Sequence, residues 1–268
     1  MKSFYLENHD AFMRYLETPQ DGPAIIYLPA ISFSAAASFF DVVTHADMPR
    51  HRALLIDYLG SGASDHPDRF DYSLAGHAAC IAALMDAAGC RGATIMGHSM
   101  GGSVAIQLAI TRPDLVGNLI VGEGNVTSGG GGLVRQILAH DEAEFIESAF
   151  PKMQSKIFTS ARDGEAIGIR RNNVWQNASA LGLYRNARAL SGVQDSMLDD
   201  FLALPMKRTF VYGEKTFPTT LDTVGPDTPS PDLLREKDVG IAIIPGAGHG
   251  QMFDNLNGFV DILAKVAF

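Results

Sequence analysis

The chain has 268 residues, which is enough for one large α/β domain or for two small domains at most. Its 30 acidic and 21 basic residues give a formal net charge of −9 at pH 7. An acidic surface repels phosphate backbones, and no run of Lys and Arg exceeds the pair Arg170-Arg171, so we expect no nucleic-acid partner. No apolar run approaches the roughly 20 residues of a membrane-spanning helix, so we also expect no membrane span.

The N-terminus and the cysteines favour a reducing compartment. The first ten residues contain no apolar stretch of the kind that a signal peptide needs. Cys80 and Cys90 are too few for a disulfide framework or a metal cluster. We therefore expect two reduced thiols in a cytoplasmic protein.

Up to residue 121, short apolar runs alternate with helical segments. Two β-prone runs within residues 4–16 predict an N-terminal hairpin. Buried strands are predicted at 24–28, 52–57, 93–96 and 119–121, and helices at 73–88 and 100–110. Ser73 is the predicted N-cap of the first helix. Strands that alternate with helices are typical of a parallel sheet with helices on both of its faces.

The pattern changes after the predicted strand at 119–121. Four consecutive glycines at 129–132 precede a helical pattern without a clear strand, which continues to about residue 204. Strands are predicted again at 208–212 and 239–244, and a C-terminal helix at 256–268. The prediction is therefore an α/β fold whose mostly parallel central sheet is interrupted by a helical insert after its sixth strand.

Residues 97–101, Gly-His-Ser-Met-Gly, match the G-x-S-x-G pattern of a nucleophile elbow. The pattern alone is weak, but here an apolar strand enters it and a helix leaves it. Flanking glycines let neighbouring chain pass close to a strained turn that lifts the serine hydroxyl above the sheet. We predict Ser99 as a nucleophile, with a simple helix cap as the alternative role.

Together with the loop at 57–64 and the turn at 246–250, this motif makes the chain resemble the serine hydrolases of the α/β-hydrolase fold family over nearly its whole length. The resemblance implies that Ser99 follows the fifth strand and that a lid lies between the sixth and seventh strands. It divides the chain into a first core part at 1–124, a helical cap at 125–204 and a second core part at 205–268.

A serine hydroxyl is a poor nucleophile until a base takes its proton. Only His140 and His249 follow Ser99 in the sequence, as the family order of serine, acid and histidine requires. His140 falls in the helical insert, whereas His249 lies among glycines just after a buried strand. We therefore predict His249 as the base and His98 as a packing or orienting residue.

The acid is less determined by the sequence. The commonest family pattern has an Asp after the seventh strand, where this chain has Thr216. Glu123 follows the sixth strand, and because neighbouring strands lie about 4.8 Å apart, its longer side chain can reach the same imidazole. Glu123 is our prediction for the acid, with a salt bridge at the base of the insert as its alternative role. Glu214, Asp222, Asp227 and no acid at all remain open.

Acyl transfer also needs hydrogen-bond donors for the oxyanion. The Met100 backbone N–H lies at a helix start, where the helix dipole favours anions. By resemblance, a second backbone donor follows the third strand, at Ile31 or, if the loop is shifted by one residue, at Ser32. The His-Gly pair of the family is replaced there by Pro29-Ala30.

The predicted activity needs no cofactor, because the sequence contains neither a metal-ligand pattern nor a phosphate-binding fingerprint after a strand. We predict a serine hydrolase that cleaves an ester, or else an amide or lactone, of a small and mostly apolar substrate through an acyl-enzyme. A cofactor-free lyase, a C–C bond hydrolase and a non-turnover ligand receptor are the alternatives. The oligomeric state is left open.

An apolar substrate needs an apolar pocket, and large side chains are the candidates for its walls. These candidates, each with plain core packing as its alternative role, are Phe33, Phe39, Trp175, Tyr184 and Met252.

Overall fold

A computed structural model describes residues 1–218 and 228–268, and it contains one eight-stranded sheet. The strands are β1 (Lys2–Leu6), β2 (Ala11–Glu17), β3 (Ala24–Leu28), β4 (Arg52–Ile56), β5 (Ala93–His98), β6 (Val116–Gly122), β7 (Lys207–Gly213) and β8 (Gly240–Ile244). Their order across the sheet is β1-β2-β4-β3-β5-β6-β7-β8. β1 and β2 form the predicted antiparallel hairpin, β2 pairs antiparallel with β4, and the remaining strands are parallel.

Three helices lie between β3 and β6 in the chain, and they are α1 (Ala35–Val43), α2 (Leu74–Ala87) and α3 (Met100–Thr111). The Ser73 side chain accepts a hydrogen bond from the Gly76 N–H at 2.9 Å, so the predicted N-cap of α2 is confirmed. Short 3₁₀ turns lie at Glu7–His9 and Pro113–Leu115.

Both faces of the sheet are buried, as a parallel sheet requires. Ile26 and Leu28 of β3 lie in one apolar cluster, whereas Ile25 and Tyr27 of the same strand lie in another. Successive side chains of a strand point to opposite faces, so the two clusters lie on opposite faces of the sheet. The predicted α/β class with a mostly parallel sheet is confirmed.

Between β6 and β7 the chain is helical. The helices of this insert are α4 (Gly131–Leu138), α5 (Glu142–Glu144), α6 (Phe150–Arg162), α7 (Ala166–Trp175), α8 (Ala180–Ser191) and α9 (Ser196–Ala203), with a π-helical turn at Phe145–Ala149. After β7 come α10 (Pro231–Glu236), α11 (Gln251–Asp254) and α12 (Leu256–Ala267). Residues 123–206, all of which the structure describes, contain no strand, as the sequence predicts.

A buried polar contact joins the insert to the core. His77 Nε2 on α2 lies 2.8 Å from Asn186 Oδ1 on α8. Burial lowers the pKa of His77 to about 4, so its ring is neutral at neutral pH. A backbone bond of 3.1 Å from the Ser179 N–H to the Gly60 carbonyl oxygen adds a second attachment. Helix α8 is therefore fixed to the sheet domain by a side-chain contact near its middle and by a backbone hydrogen bond at its N-cap.

None of the helices in residues 1–218 and 228–268 has both the length and the apolarity that crossing a membrane demands.

The turn between β5 and α3 has little room. A Cβ added at Gly97 would lie 2.2 Å from the Gly101 carbonyl oxygen, and one at Gly101 would lie 2.1 Å from the Leu28 carbonyl oxygen. Cβ atoms do not approach backbone oxygens so closely, so only glycine fits at either position. The two glycines of the sequence motif therefore allow α3 to start against the end of β3.

We expect Gly101→Ala to lower the free energy of unfolding by about 2 kcal/mol or more, because its methyl group overlaps the Leu28 carbonyl oxygen. Urea unfolding measures this change. Gly132→Ala is the control, since a Cβ at that helical position meets no atom within 4 Å and removes a flexible residue from α4. It should be neutral or stabilise by up to about 1 kcal/mol. Equal midpoints for the two variants would contradict the close approach at Gly101.

Candidate active site

Three side chains from three strand ends meet at one edge of the sheet. Ser99 follows β5, Glu123 follows β6, and His249 lies in the turn after β8. His249 Nε2 is 3.1 Å from Ser99 Oγ, and His249 Nδ1 is 2.7 Å from Glu123 Oε2. An ionised carboxylate can only accept a hydrogen bond, so the proton of the neutral ring is on Nδ1. Nε2 therefore presents its lone pair to the serine hydroxyl.

The backbone at Ser99 is strained, with φ 54° and ψ −122°. Non-glycine residues rarely adopt a positive φ, and such a conformation costs about 1–3 kcal/mol. Its N–H donates to the Gly122 carbonyl oxygen at 2.8 Å, which ties the turn to the end of β6. The Ser99 side chain makes no capping bond to α3, so its alternative role as a helix cap is wrong.

Glu123 is surrounded by hydrogen-bond donors. Its Oε1 accepts the Gly213 N–H at 2.7 Å and the Thr216 hydroxyl, while Oε2 faces His249. Burial opposes the charge of Glu123, but the bonds from His249, Thr216 and Gly213 outweigh it and hold the pKa of the carboxyl below its usual value. The carboxylate is thus ionised and fixed in place over the end of β7.

Of the other candidate acids, the structure describes only Glu214, and its carboxylate is bonded away from the His249 ring. The Glu214 carboxylate accepts the Gly246 N–H at 2.6 Å, in the turn that follows β8. Asp222 and Asp227 lie outside the described residues. The alternative role of Glu123 is a salt bridge at the base of the insert, whereas in the structure its carboxylate contacts the Gly213 N–H, the Thr216 hydroxyl and the His249 ring.

Two further histidines have other positions. His98 Nε2 lies 2.7 Å from the carbonyl oxygen of His249, and only a protonated nitrogen can donate to it. Burial, followed by the neighbouring His249, lowers the pKa of His98 to about 4, so this ring is neutral. His98 thus fixes the backbone that carries His249, which agrees with the predicted orienting role. His140 lies in the insert, 3.0 Å from Glu144 Oε1.

The predicted oxyanion donors lie around the Ser99 turn. Ile31 and Ser32 line the same cavity as Ser99, and Met100 is the first residue of α3. Within the described part of the chain, the N–H groups of Ile31 and Met100 donate to no protein acceptor. Ser32 has φ 66°, and its buried hydroxyl has no partner among the described residues. Ile31 and Ser32 thus lie in the cavity wall, and Met100 directly follows Ser99.

A cavity of about 910 Å³ opens over Ser99 and His249. Its walls come from residues 30–33 after β3, from residues 130–133 at the start of the insert, and from α7 and α11. This volume suits a small organic molecule. No cluster of three or more potential metal-ligating side chains occurs in residues 1–218 and 228–268.

Of the five large side chains predicted as pocket candidates, only Phe33 lines this cavity. Phe39 and Met252 are buried in the cluster on one face of the sheet, and Trp175 is buried in the other cluster, stacked on Phe150 at 5.5 Å. The Tyr184 hydroxyl donates to the His140 carbonyl oxygen at 3.1 Å. For these four residues the alternative of structural packing is correct.

Several groups at the site are not predicted from the sequence. In the sequence, Thr216 stands where the usual Asp is missing, whereas in the structure its hydroxyl donates to the Glu123 carboxylate. Arg170, Arg171 and Phe253 also line the cavity. The adjacent arginines are visible in the sequence, where they are one of its two adjacent pairs of Lys and Arg. A pair of cations within a helix of the predicted insert is the sequence signal that could have identified the two arginines.

Comparison with families of known proteins identifies the fold. The family model of the alpha/beta hydrolase fold matches residues 23–154. An uncharacterized protein of Mycobacterium tuberculosis is 36% identical over 117 residues, which are 43% of this chain and 33% of that protein. The chain thus matches about a third of the length of such curated relatives.

Solved structures of similar fold cover nearly the whole chain. An esterase from Exiguobacterium antarcticum has a TM-score of 0.77 at 16% identity, covering 99% of this chain and 98% of its own. The enol-lactonase from Burkholderia xenovorans LB400 has a TM-score of 0.75 at 13% identity, covering 99% of each chain. At such identities the likeness is one of fold.

We expect Thr216→Val to raise the pKa of the Glu123 carboxyl, because it removes one hydrogen bond to the charged form. A carbon-13 NMR titration of that carboxyl measures the change. A carboxylate with a lowered pKa stabilises the fold above its unfolded pKa, and this contribution is lost as pH falls through the folded pKa. The stability deficit of the variant should therefore be largest above about pH 5 and shrink in acid.

Thr111→Val is the matched control, since its hydroxyl donates to the Gln107 carbonyl oxygen on an exposed part of α3. It should leave the Glu123 titration unchanged. An unchanged titration in Thr216→Val as well would show that its hydroxyl does not act on Glu123.

Proposed function

The chain belongs to the α/β-hydrolase fold family, and we propose that it is a serine hydrolase that cleaves an ester of a small molecule through an acyl-enzyme. The observation that carries the proposal is the continuous hydrogen-bonded path from Glu123 through His249 to Ser99. A serine, an imidazole and a carboxylate in this order are the groups that acyl transfer to a hydroxyl requires.

In the proposed reaction, His249 Nε2 takes the Ser99 proton while Oγ attacks the substrate carbonyl carbon. The imidazolium formed in this step is stabilised by Glu123, whose charge is maintained by its other hydrogen bonds. His249 then gives its proton to the leaving alcohol, so the ester bond breaks and the acyl group remains on Ser99. Water, activated by the same nitrogen, releases the acid.

The tetrahedral oxyanion needs donors that are in place before the reaction. We assign this role to the backbone N–H groups of Met100 and Ile31, which have no protein acceptor within the described residues. The Met100 N–H is at the start of α3, where the helix dipole adds to the attraction for an anion. Removing one side-chain donor from the oxyanion hole of a well-studied protease costs about 3–4 kcal/mol.

The helical insert is proposed to act as a cap over the site. Its first residues and α7 form part of the cavity wall, so the substrate is enclosed between the insert and the sheet edge. In this proposal residues 125–204 are the cap and residues 1–124 and 205–268 are the core. Gly130 and Gly131, both with positive φ, give the chain a turn at the cavity wall that L-residues rarely adopt.

Ester hydrolysis is preferred over cleavage of an amide or lactone, and over the lyase, C–C hydrolase and receptor alternatives, as the simplest use of these groups. Turnover of p-nitrophenyl esters of short acids tests this preference, because a receptor would bind without releasing nitrophenol. We propose a cytoplasmic location from the two buried free thiols of Cys80 and Cys90, which reducing conditions preserve.

Ser99→Ala should fold normally and lose covalent labelling by a fluorophosphonate, because the phosphorus centre reacts with an activated serine oxygen. Mass spectrometry of the protein after treatment measures the extent and the position of the covalent label. Ser155→Ala, at an exposed position of α6, is the matched control and should label like the wild type. Labelling that persists in Ser99→Ala, or a label mapped to another serine, would remove Ser99 from the mechanism.

Glu123→Gln should lower kcat by more than about a hundredfold. If the single amide oxygen of Gln accepts the Gly213 and Thr216 donors, its NH₂ group faces His249 Nδ1. Nδ1 must then accept a hydrogen bond, which moves the ring proton to Nε2 and removes the base. Glu214→Gln, with its carboxylate bonded to Gly246, is the control and should lose less than about threefold. Similar losses in both variants would argue against Glu123 as the acid.

A further inference from the structure

Two adjacent arginines on α7 line the cavity over Ser99, and they differ in their partners. Arg170 is 2.9 Å from Asp41 Oδ2 and donates to the Ala37 carbonyl oxygen at 3.2 Å. Arg171 has neither a hydrogen bond nor an ion pair within residues 1–218 and 228–268, and its Nε is buried without a partner. One cation of the cavity is thus neutralised and the other is not.

The surroundings of Arg171 make this isolation costly. Its guanidinium carbon lies 5.7 Å from the centre of the Phe33 ring, which itself lines the cavity. Burial lowers the pKa of Arg171, because it removes water from the charged group. An arginine nevertheless stays protonated at any physiological pH. The half-buried charge is therefore stabilised by an aromatic face alone, and its free N–H donors remain to be satisfied.

Two carboxylates of the described residues line the cavity, and neither is paired with Arg171. The Glu123 carboxylate is occupied by His249, Thr216 and Gly213. Asp254 also lines the cavity, but its Oδ2 accepts the Gly248 N–H at 2.8 Å. Both carboxylates thus belong to the side of the cavity next to His249, whereas Arg171 lies against Phe33.

We propose that the substrate carries, apart from its scissile acyl group, a carboxylate that pairs with Arg171. The proposal rests on the proposed function, since it names the substrate class of the same site. A planar guanidinium matches a carboxylate through two parallel hydrogen bonds. The single negative charge of a carboxylate balances the positive charge of Arg171, whereas a phosphate dianion would leave one negative charge uncompensated among aromatic side chains. The substrate is then the monoester of a short dicarboxylic acid, or an ester of similar shape.

The test compares matched esters. Mono-p-nitrophenyl succinate, glutarate and adipate are paired with p-nitrophenyl butanoate, pentanoate and hexanoate, so each pair differs in its terminal carboxylate, and the series samples the reach from Ser99. In the wild type, at least one pair should show a higher kcat/KM for the acid. In Arg171→Gln the ratio of acid to neutral ester should fall about thirtyfold, as expected for losing a charged hydrogen bond. Arg171→Lys should recover part of the ratio.

Arg188→Gln is the matched control, because it removes the same charge from an exposed position of α8 that does not line the cavity. Its ratio should equal that of the wild type. Because each ratio is taken within one protein sample, partial misfolding of a variant cancels. A ratio that Arg171→Gln leaves unchanged would overturn the proposal.

A binding measurement keeps the outcome separate from that of the proposed function. Calorimetry of Ser99→Ala should detect glutarate, and adding Arg171→Gln should weaken its Kd about tenfold or more. If no ester is turned over but this difference holds, the hydrolase proposal fails and the carboxylate site stands. If the added Arg171→Gln leaves glutarate binding unchanged, or inorganic phosphate binds more tightly than glutarate, the carboxylate assignment is wrong.

Discussion

The hydrogen bonds around the Glu123 carboxylate connect the parts of the site to each other. Glu123 directly follows β6. Its carboxylate accepts the Gly213 N–H at the end of β7 and faces His249 in the turn after β8. Three adjacent strand ends are thus held by one charged group, and charged hydrogen bonds are about twice as strong as neutral ones. If this group were moved, neither the ring proton of His249 nor its distance from Ser99 would be fixed.

Two residues with a strained backbone lie at the same edge of the sheet. Ser99 and Glu123 are both non-glycine residues with positive φ, at 54° and 45°. Each such conformation costs about 1–3 kcal/mol, and it persists only where the surrounding structure determines it. Parallel pairing of His98 with Gly122 supplies that constraint, since the strained residues follow these paired ones directly. The stability of the sheet therefore maintains the backbone conformations of Ser99 and Glu123, which are unfavourable by themselves and which direct the two side chains.

Local patterns were enough to predict the strands, the helical insert and the turn at Ser99, whereas the pairing of Ser99 with His249 came from the resemblance to the α/β-hydrolase fold family. The apolar run at 24–28 predicts a buried strand because both of its faces are apolar, and the structure has β3 there. Glu123 needed the further premise that parallel strands end at one edge. The bond from Thr216 to Glu123 and the missing partner of Arg171 depend on contacts distant in sequence, which no local pattern encodes. Four of the five predicted pocket residues do not line the cavity for the same reason, because an apolar side chain can lie either in a cavity wall or in the core.

The charge of the whole chain and the charge of the cavity have opposite effects on an anion. With a net charge of −9, the surface opposes the approach of a carboxylate, but at physiological ionic strength this field is screened beyond about 8 Å. Arg171 acts at shorter range, within a cavity where aromatic walls reduce screening. Selection for an anionic substrate at this site would therefore appear in the lifetime of the bound complex, not in the rate of encounter. The acidic surface and the unpaired arginine are compatible because they act at different distances.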